Sequence, residues 1–102
     1  MTQEIRDSIE RNCVPPLGSW DKNLGVAWFI PREVIPKKTK NDKPYWILKV
    51  IDDTSTMTTI RCWGVKDYDQ IYLNRPYAAK LDHNKDWGFS TRSLRYNFKL
   101  LG

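Results

Sequence analysis

The sequence predicts an all-β domain: a small five-stranded barrel with one short helix between its third and fourth strands and a helical arm at its N-terminus. Three observations point to it. Apolar and polar residues alternate with a period of two, most clearly over residues 45–52, which marks a half-buried strand. Five extended runs follow one another within about eighty residues. Between the third and fourth runs, Val65, Tyr68, Ile71 and Tyr72 recur at helical spacing.

Each element has its own signal. Residues 2–12 read as an amphipathic helix, with Thr2 as N-cap and Ile5 and Ile9 four residues apart on one face. The segment Val14-Pro15-Pro16-Leu17-Gly18 cannot continue it. Residues 1–22 are therefore an accessory arm, and residues 23–102 the barrel domain. The apolar stretch 25–30 and the extended stretch 32–35 make one long strand, bent near Pro31 and Pro36, each of which lacks a ladder donor. A basic loop over 37–43 leads to the second strand. There Trp46, Leu48 and Val50 share one face, and Tyr45, Ile47, Lys49 and Ile51 the other. Asp52-Asp53-Thr54-Ser55 is a turn by composition. The third strand, 57–63, is rich in β-branched residues and ends at Gly64. A short helix over 65–73 stops at Asn74-Arg75-Pro76. A fourth strand over 77–81, a loop over 82–87 and a fifth strand over 88–100 follow. That order belongs to the OB-fold, a five-stranded Greek-key barrel. An SH3-like barrel also has five strands but places no helix after the third.

Composition fits one such domain. A chain of 102 residues holds one core and buries about two-thirds of its unfolded surface. The net charge of +5, from 17 Lys and Arg against 12 Asp and Glu, favours a polyanionic partner. Five Trp, five Tyr and three Phe are more than one small core needs, so some aromatics are expected on a surface. Cys13 and Cys62 lie far apart without metal-ligand spacing. Reduced thiols are expected, while the spacing leaves a disulfide between them open. No run approaches the ~20 apolar residues of a membrane span, and residues 1–10 lack an apolar signal core. A soluble cytoplasmic protein is the expectation.

Residues 39–52 read Thr-Lys-Asn-Asp-Lys-Pro-Tyr-Trp-Ile-Leu-Lys-Val-Ile-Asp. This resembles the second-strand motif of the OB domain in bacterial replicative DNA polymerase III alpha subunits. That motif runs Thr-Lys-Lys-Gly-Lys-Pro-Tyr/Phe-Ala-Phe-Leu-Thr-Leu-Glu-Asp, followed by Thr-Gly and a Val-rich strand. Thr39, Lys40, Lys43, Pro44, Tyr45, Leu48 and Asp52 stand at matching positions. Asp42 takes the place of the loop glycine, Ser55 that of the turn glycine, and Trp46 that of a small residue. The resemblance covers residues 26–100, and its specific part is the fourteen-residue stretch 39–52 quoted above. It implies a domain that handles single-stranded template within a replication protein, either free-standing or as part of a parent polymerase. Nothing of a polymerase catalytic domain is present in the chain.

An OB barrel grips a single strand on its second and third strands and the two flanking loops, with cations for phosphates and aromatic faces for bases. The first loop supplies Lys37, Lys38, Lys40 and Lys43. Lys49 marks the solvent face of the second strand, which places Tyr45 and Ile47 beside it. On the third strand Ile60 and Cys62 take the interior parity, leaving Thr59 and Arg61 toward the groove; Trp63 shares that parity but ends the strand, which leaves both groove and core open to it. The second loop adds Lys85 and Trp87, and the fifth strand adds Arg92, with Arg95 on its other face.

Catalytic and metal chemistry find no constellation. His83 is the single histidine, and Asp52 and Asp53 diverge at a strand end. There is no phosphate-cradling glycine loop, no Gly-x-Ser-x-Gly and no zinc spacing. No cofactor is expected and no enzyme activity by the domain itself. Two other readings use the same features: a protein-interaction domain docking an acidic partner, and an RNA- or tRNA-binding domain distinguished by contacts to the 2′-hydroxyl.

Overall fold

Alternating runs need a partner for their apolar side, and in this protein they find it by curling into one sheet. The structure, a computed structural model, describes Gln3, Asp7 and residues 14–101. Its strands are β1 (Val26–Lys38), β2 (Pro44–Ile51), β3 (Thr58–Trp63), β4 (Tyr77–Lys80), β5 (Asp82–Asn84), β6 (Gly88–Arg92) and β7 (Phe98–Leu100). They lie in the order β5-β6-β3-β2-β1-β4-β7 and bend into a half-barrel around one core. The fold is all-β. One short helix, α1 (Leu94–Asn97), and a 3-10 turn at Leu17–Ser19 complete the described chain. Among the described residues no helix is long and apolar enough to cross a membrane.

The long first strand serves two neighbours. Its first half, from Val26 to Phe29, pairs antiparallel with β4, and its second half, from Ile30 to Lys38, pairs antiparallel with β2. Strand β3 pairs antiparallel with β2 on one side and parallel with β6 on the other. β5 and β6 form a hairpin, and β7 lies antiparallel to β4. Leu81 alone separates β4 from β5.

A bulge at Arg32 sets which side of β1 faces the core. Pro31 pairs with Val50 and Glu33 with Lys49, so Arg32 has no partner across the strand. The extra residue lets both Pro31 and Val34 turn inward, although three residues apart, and sends Glu33, Ile35 and Lys37 outward. Phe29, Leu48, Val50, Ile60 and Cys62 are fully buried at the centre. The period of two predicted for the second and third strands is the one observed.

The described part of the arm packs on the body. Leu17 is buried in the core, and Trp28 N–H donates to the Pro15 carbonyl at 2.9 Å along the stretch of β1 that β2 leaves open. Asp52 fastens this segment. Its carboxylate accepts the Gly18 N–H at 2.7 Å, the Thr54 N–H at 2.9 Å and the Thr54 hydroxyl at 2.6 Å. The helix expected over residues 2–12 lies outside the described residues except at Gln3 and Asp7. These two are helical, and Gln3 Nε2 donates to Asp7 Oδ1 at 2.9 Å. Cys13 also lies outside them; Cys62 is a free thiol in the core.

Three expectations are corrected. No helix forms over residues 65–73, which are turns and irregular chain. Val65 and Ile71 reach the core as separate anchors, and the Asp69 carboxylate accepts the Lys66 N–H at 2.7 Å, closing a turn where a helix would begin. Residues 82–87 are not all loop. Asp82–Asn84 is strand β5, and the hairpin turns through Lys85, Asp86 and Trp87 to Gly88, whose φ of 81° suits glycine. The fifth strand does not run from 88 to 100. Ser93 takes φ 53°, the chain enters α1, and Thr91 and Leu94 are both buried at helical spacing before β7 resumes.

Candidate nucleic-acid interface

Directly opposed residues on adjacent strands point to the same side of a sheet, so the register identifies what shares the outward face. Tyr45 stands opposite Trp63, Ile47 opposite Arg61, and Lys49 opposite Thr59. All six are sequence-predicted site residues, and the structure brings them together as three neighbouring pairs. β1 and β6 lengthen the rows. Lys37 pairs with Tyr45 and Arg92 with Trp63, so one row runs Lys37, Tyr45, Trp63, Arg92 across four strands. With strands about 4.8 Å apart, this row is about 14 Å wide. The next row is Ile35, Ile47, Arg61, Ser90, and the third is Glu33, Lys49, Thr59.

The first row carries an aromatic centre between two cations. The rings of Tyr45 and Trp63 stack at 4.7 Å between centroids with an interplanar angle of 33°, and both residues are half-exposed. Lys37 and Arg92 are exposed at its ends and form no ion pair among the described residues. The second row reaches the β5–β6 hairpin, because Arg61 Nη1 donates to the Trp87 carbonyl. This bond holds the hairpin tip against the sheet face, while the Trp87 side chain stays 63% exposed. The third row is weaker in positive charge: Lys49 lies 3.9 Å from Glu33.

The remaining predicted residues are less closely gathered. Lys37 and Lys38 end strand β1 and are not in a loop; the turn itself is residues 39–43, closed by Thr39 N–H to the Lys43 carbonyl at 3.0 Å. Lys38 pairs with Asp42 at 3.4 Å on the surface. Lys40 is exposed on that turn, and Lys85 is exposed on the β5–β6 hairpin, apart from the three rows. Lys43 lines a cleft of about 700 Å³ beside the first row, together with Trp63, Lys66, Asp67 and Arg92. Sequence reasoning missed Ile35, Ser90 and Lys66. The first two could have been found only from strand register, and Lys66 was hidden by the expected helix.

Other chemistry-bearing groups lie apart from this face. His83 packs at 4.8 Å from Phe89 and 5.7 Å from Trp20. Burial pushes the Cys62 thiol up to about 12, with the Asp69 charge adding to the shift. Among the described residues no three His, Cys, Asp or Glu side chains stand together as a metal site. What the face presents is cations and exposed ring surface at strand spacing, an arrangement suited to phosphates and stacked bases. Comparison with known proteins gives no match to any family model, curated protein or solved structure.

Proposed function

We propose that this chain is an OB-type module that binds single-stranded nucleic acid, DNA in the first instance, across the outward face of β1, β2, β3 and β6. The observation that carries the reading is the row Lys37, Tyr45, Trp63, Arg92, in which stacked rings lie between two exposed cations that form no ion pair among the described residues. The strand pairing supports the fold. Taking β4 and β5 as one strand bent at Leu81, the neighbours run β1, β2, β3, β6, then back through β5 and β4 to β1, with β3 and β6 parallel. The backbone supports the likeness to the polymerase III alpha motif. Asp42 and Ser55, at the two positions where that motif carries glycine, have φ of 61° and 62°, the left-handed region that glycine enters freely. On this reading the module works by binding, as part of a replication protein, and supplies no catalytic group itself.

The test is a fluorescence titration with single-stranded oligonucleotides, with duplex DNA and the matching RNA as comparisons. Stacking contributes about 1–3 kcal/mol per base. Tyr45→Ala, Trp63→Ala and Trp87→Ala should therefore each weaken binding more than Lys40→Ala, which should mainly lower the salt slope by about 0.7. Saturable binding that ignores all three aromatic substitutions, or that prefers duplex, would overturn the proposal.

A further inference from the structure

The cationic surface does not stop at the edge of the sheet face. Arg92, the last member of the first row, lines the cleft beside Trp63 and also a second cleft of about 450 Å³ on its other side. Trp20, Lys22, Leu24, Lys80 and Asp82 lie along this second cleft. Its charged residues are Lys22, Lys80 and Arg92 against Asp82, a balance of +2. The first cleft has the same balance, with Lys43, Lys66 and Arg92 against Asp67. Among the described residues none of these five cations forms an ion pair. The shared wall is held in place. The Thr91 hydroxyl donates to the Lys80 carbonyl at 2.9 Å, tying β6 to β4, and Asn97 Nδ2 donates to the Arg92 carbonyl. Leu24, 61% exposed, gives the second cleft an apolar flank beside its charges.

We infer that a single strand longer than the sheet face leaves it past Arg92 and continues through the second cleft, its phosphates on Lys22 and Lys80. This rests on the single-strand reading above and extends it from a four-strand face to a track that turns the side of the barrel. A lone anion would need only the charges. The apolar flank beside exposed cations, continuous with stacked rings through one arginine, suits a chain in which phosphates alternate with sugars and bases.

The experiment uses the full chain and oligothymidylates of about 4 and about 12 nucleotides, the range that one such barrel covers. Salt dependence is measured for the wild type and for the Lys22→Ala/Lys80→Ala double variant, whose substituted residues are exposed. The longer strand should bind more tightly and with a steeper salt slope than the shorter. The double variant should lose about 1.4 of that slope, at about 0.7 per phosphate contact on single strands, and should leave the shorter strand unchanged. Lys66→Ala should weaken both lengths. The inference fails if the two lengths bind alike, or if the double variant binds the longer strand as the wild type does. It also fails if polyglutamate displaces the longer strand through Lys22 and Lys80 as effectively as unlabelled oligothymidylate does, which would assign the cleft to an acidic protein. If neither length binds, the single-strand reading falls with it.

Discussion

Replacing Asp52 by Ala removes the acceptor that joins the arm to the β2–β3 turn. Three donors reach this carboxylate, the nearest backbone one being Gly18 N–H at 2.7 Å. Hydrogen bonds to a charged group contribute about 1.5–3 kcal/mol each. Thr54 is exposed and its two donors can turn to water, so the expected loss is about 2–3 kcal/mol rather than three full bonds. For a domain of this size that is about 10–20 °C in Tm. Gly18→Ala attacks the same contact from the other side, since a Cβ there would lie 2.8 Å from Asp52 Oδ2. Combined, the two substitutions should cost less than their sum, because the clash needs the carboxylate. The pH dependence gives a second readout. Burial works to raise the Asp52 pKa, but the hydrogen bonds from Thr54 and Gly18 outweigh it and hold the group below the ordinary value. Its contribution is therefore complete above the unfolded aspartate pKa of about 3.9 and fades as pH falls through the lower folded value. Urea unfolding of wild type and Asp52→Ala at several pH values tests this. A difference below about 0.5 kcal/mol at neutral pH, or one that stays constant down to about pH 2, would refute the reasoning.

Two further predictions follow from the backbone and the core. Ser55→Gly should raise stability by about 0.5–1 kcal/mol in urea unfolding, since serine at φ 62° bears a left-handed conformation that glycine adopts without strain; a loss would mean that the Ser55 side chain holds the turn. Cys62, buried with its thiol pushed up to about 12, should resist alkylation at pH 8 until the protein unfolds. Mass spectrometry of the Cys62 peptide reads the result, and rapid native labelling would contradict it.

The parts of the fold legible in the sequence are those whose side chains obey one period. Trp46, Leu48 and Val50 against Tyr45, Ile47 and Lys49 sorted the second strand correctly, and Ile60 and Cys62 sorted the third. That parity also placed Arg61 and Trp63 outward. The row they complete was not legible, because no local pattern tells which residue of β1 or β6 will lie beside Tyr45 or Trp63. The bulge at Arg32 moves the phase of β1 by one residue, and a single added residue exchanges inner for outer side chains. The helix expected near Tyr68 failed for a different reason. Val65 and Ile71 both reach the core, but Tyr68 and Tyr72, which completed the helical spacing, are exposed, so the pattern did not mark one buried helix face. Conversely, Thr91, Leu94 and Phe98 carried a helical spacing inside a stretch read as strand.

The exchange of partners along β1 bears on how the protein opens. Residues 26–29 belong to β4 and residues 30–38 to β2, and the hand-over falls between Phe29 and Ile30, next to buried Pro31, whose carbonyl accepts the Asn74 N–H at 2.8 Å. One continuous backbone is therefore stitched into both sides of the sheet. Neither side can peel away while β1 stays whole, and a residue without an amide proton sits one position past the seam. Amide exchange along β1 is thus tied to global unfolding, whereas the short edge strands β5 and β7 can fray alone. Lys37, at one end of the row through Tyr45 and Trp63, stands on this two-sided strand, whereas Trp87 stands on the hairpin that begins with edge strand β5.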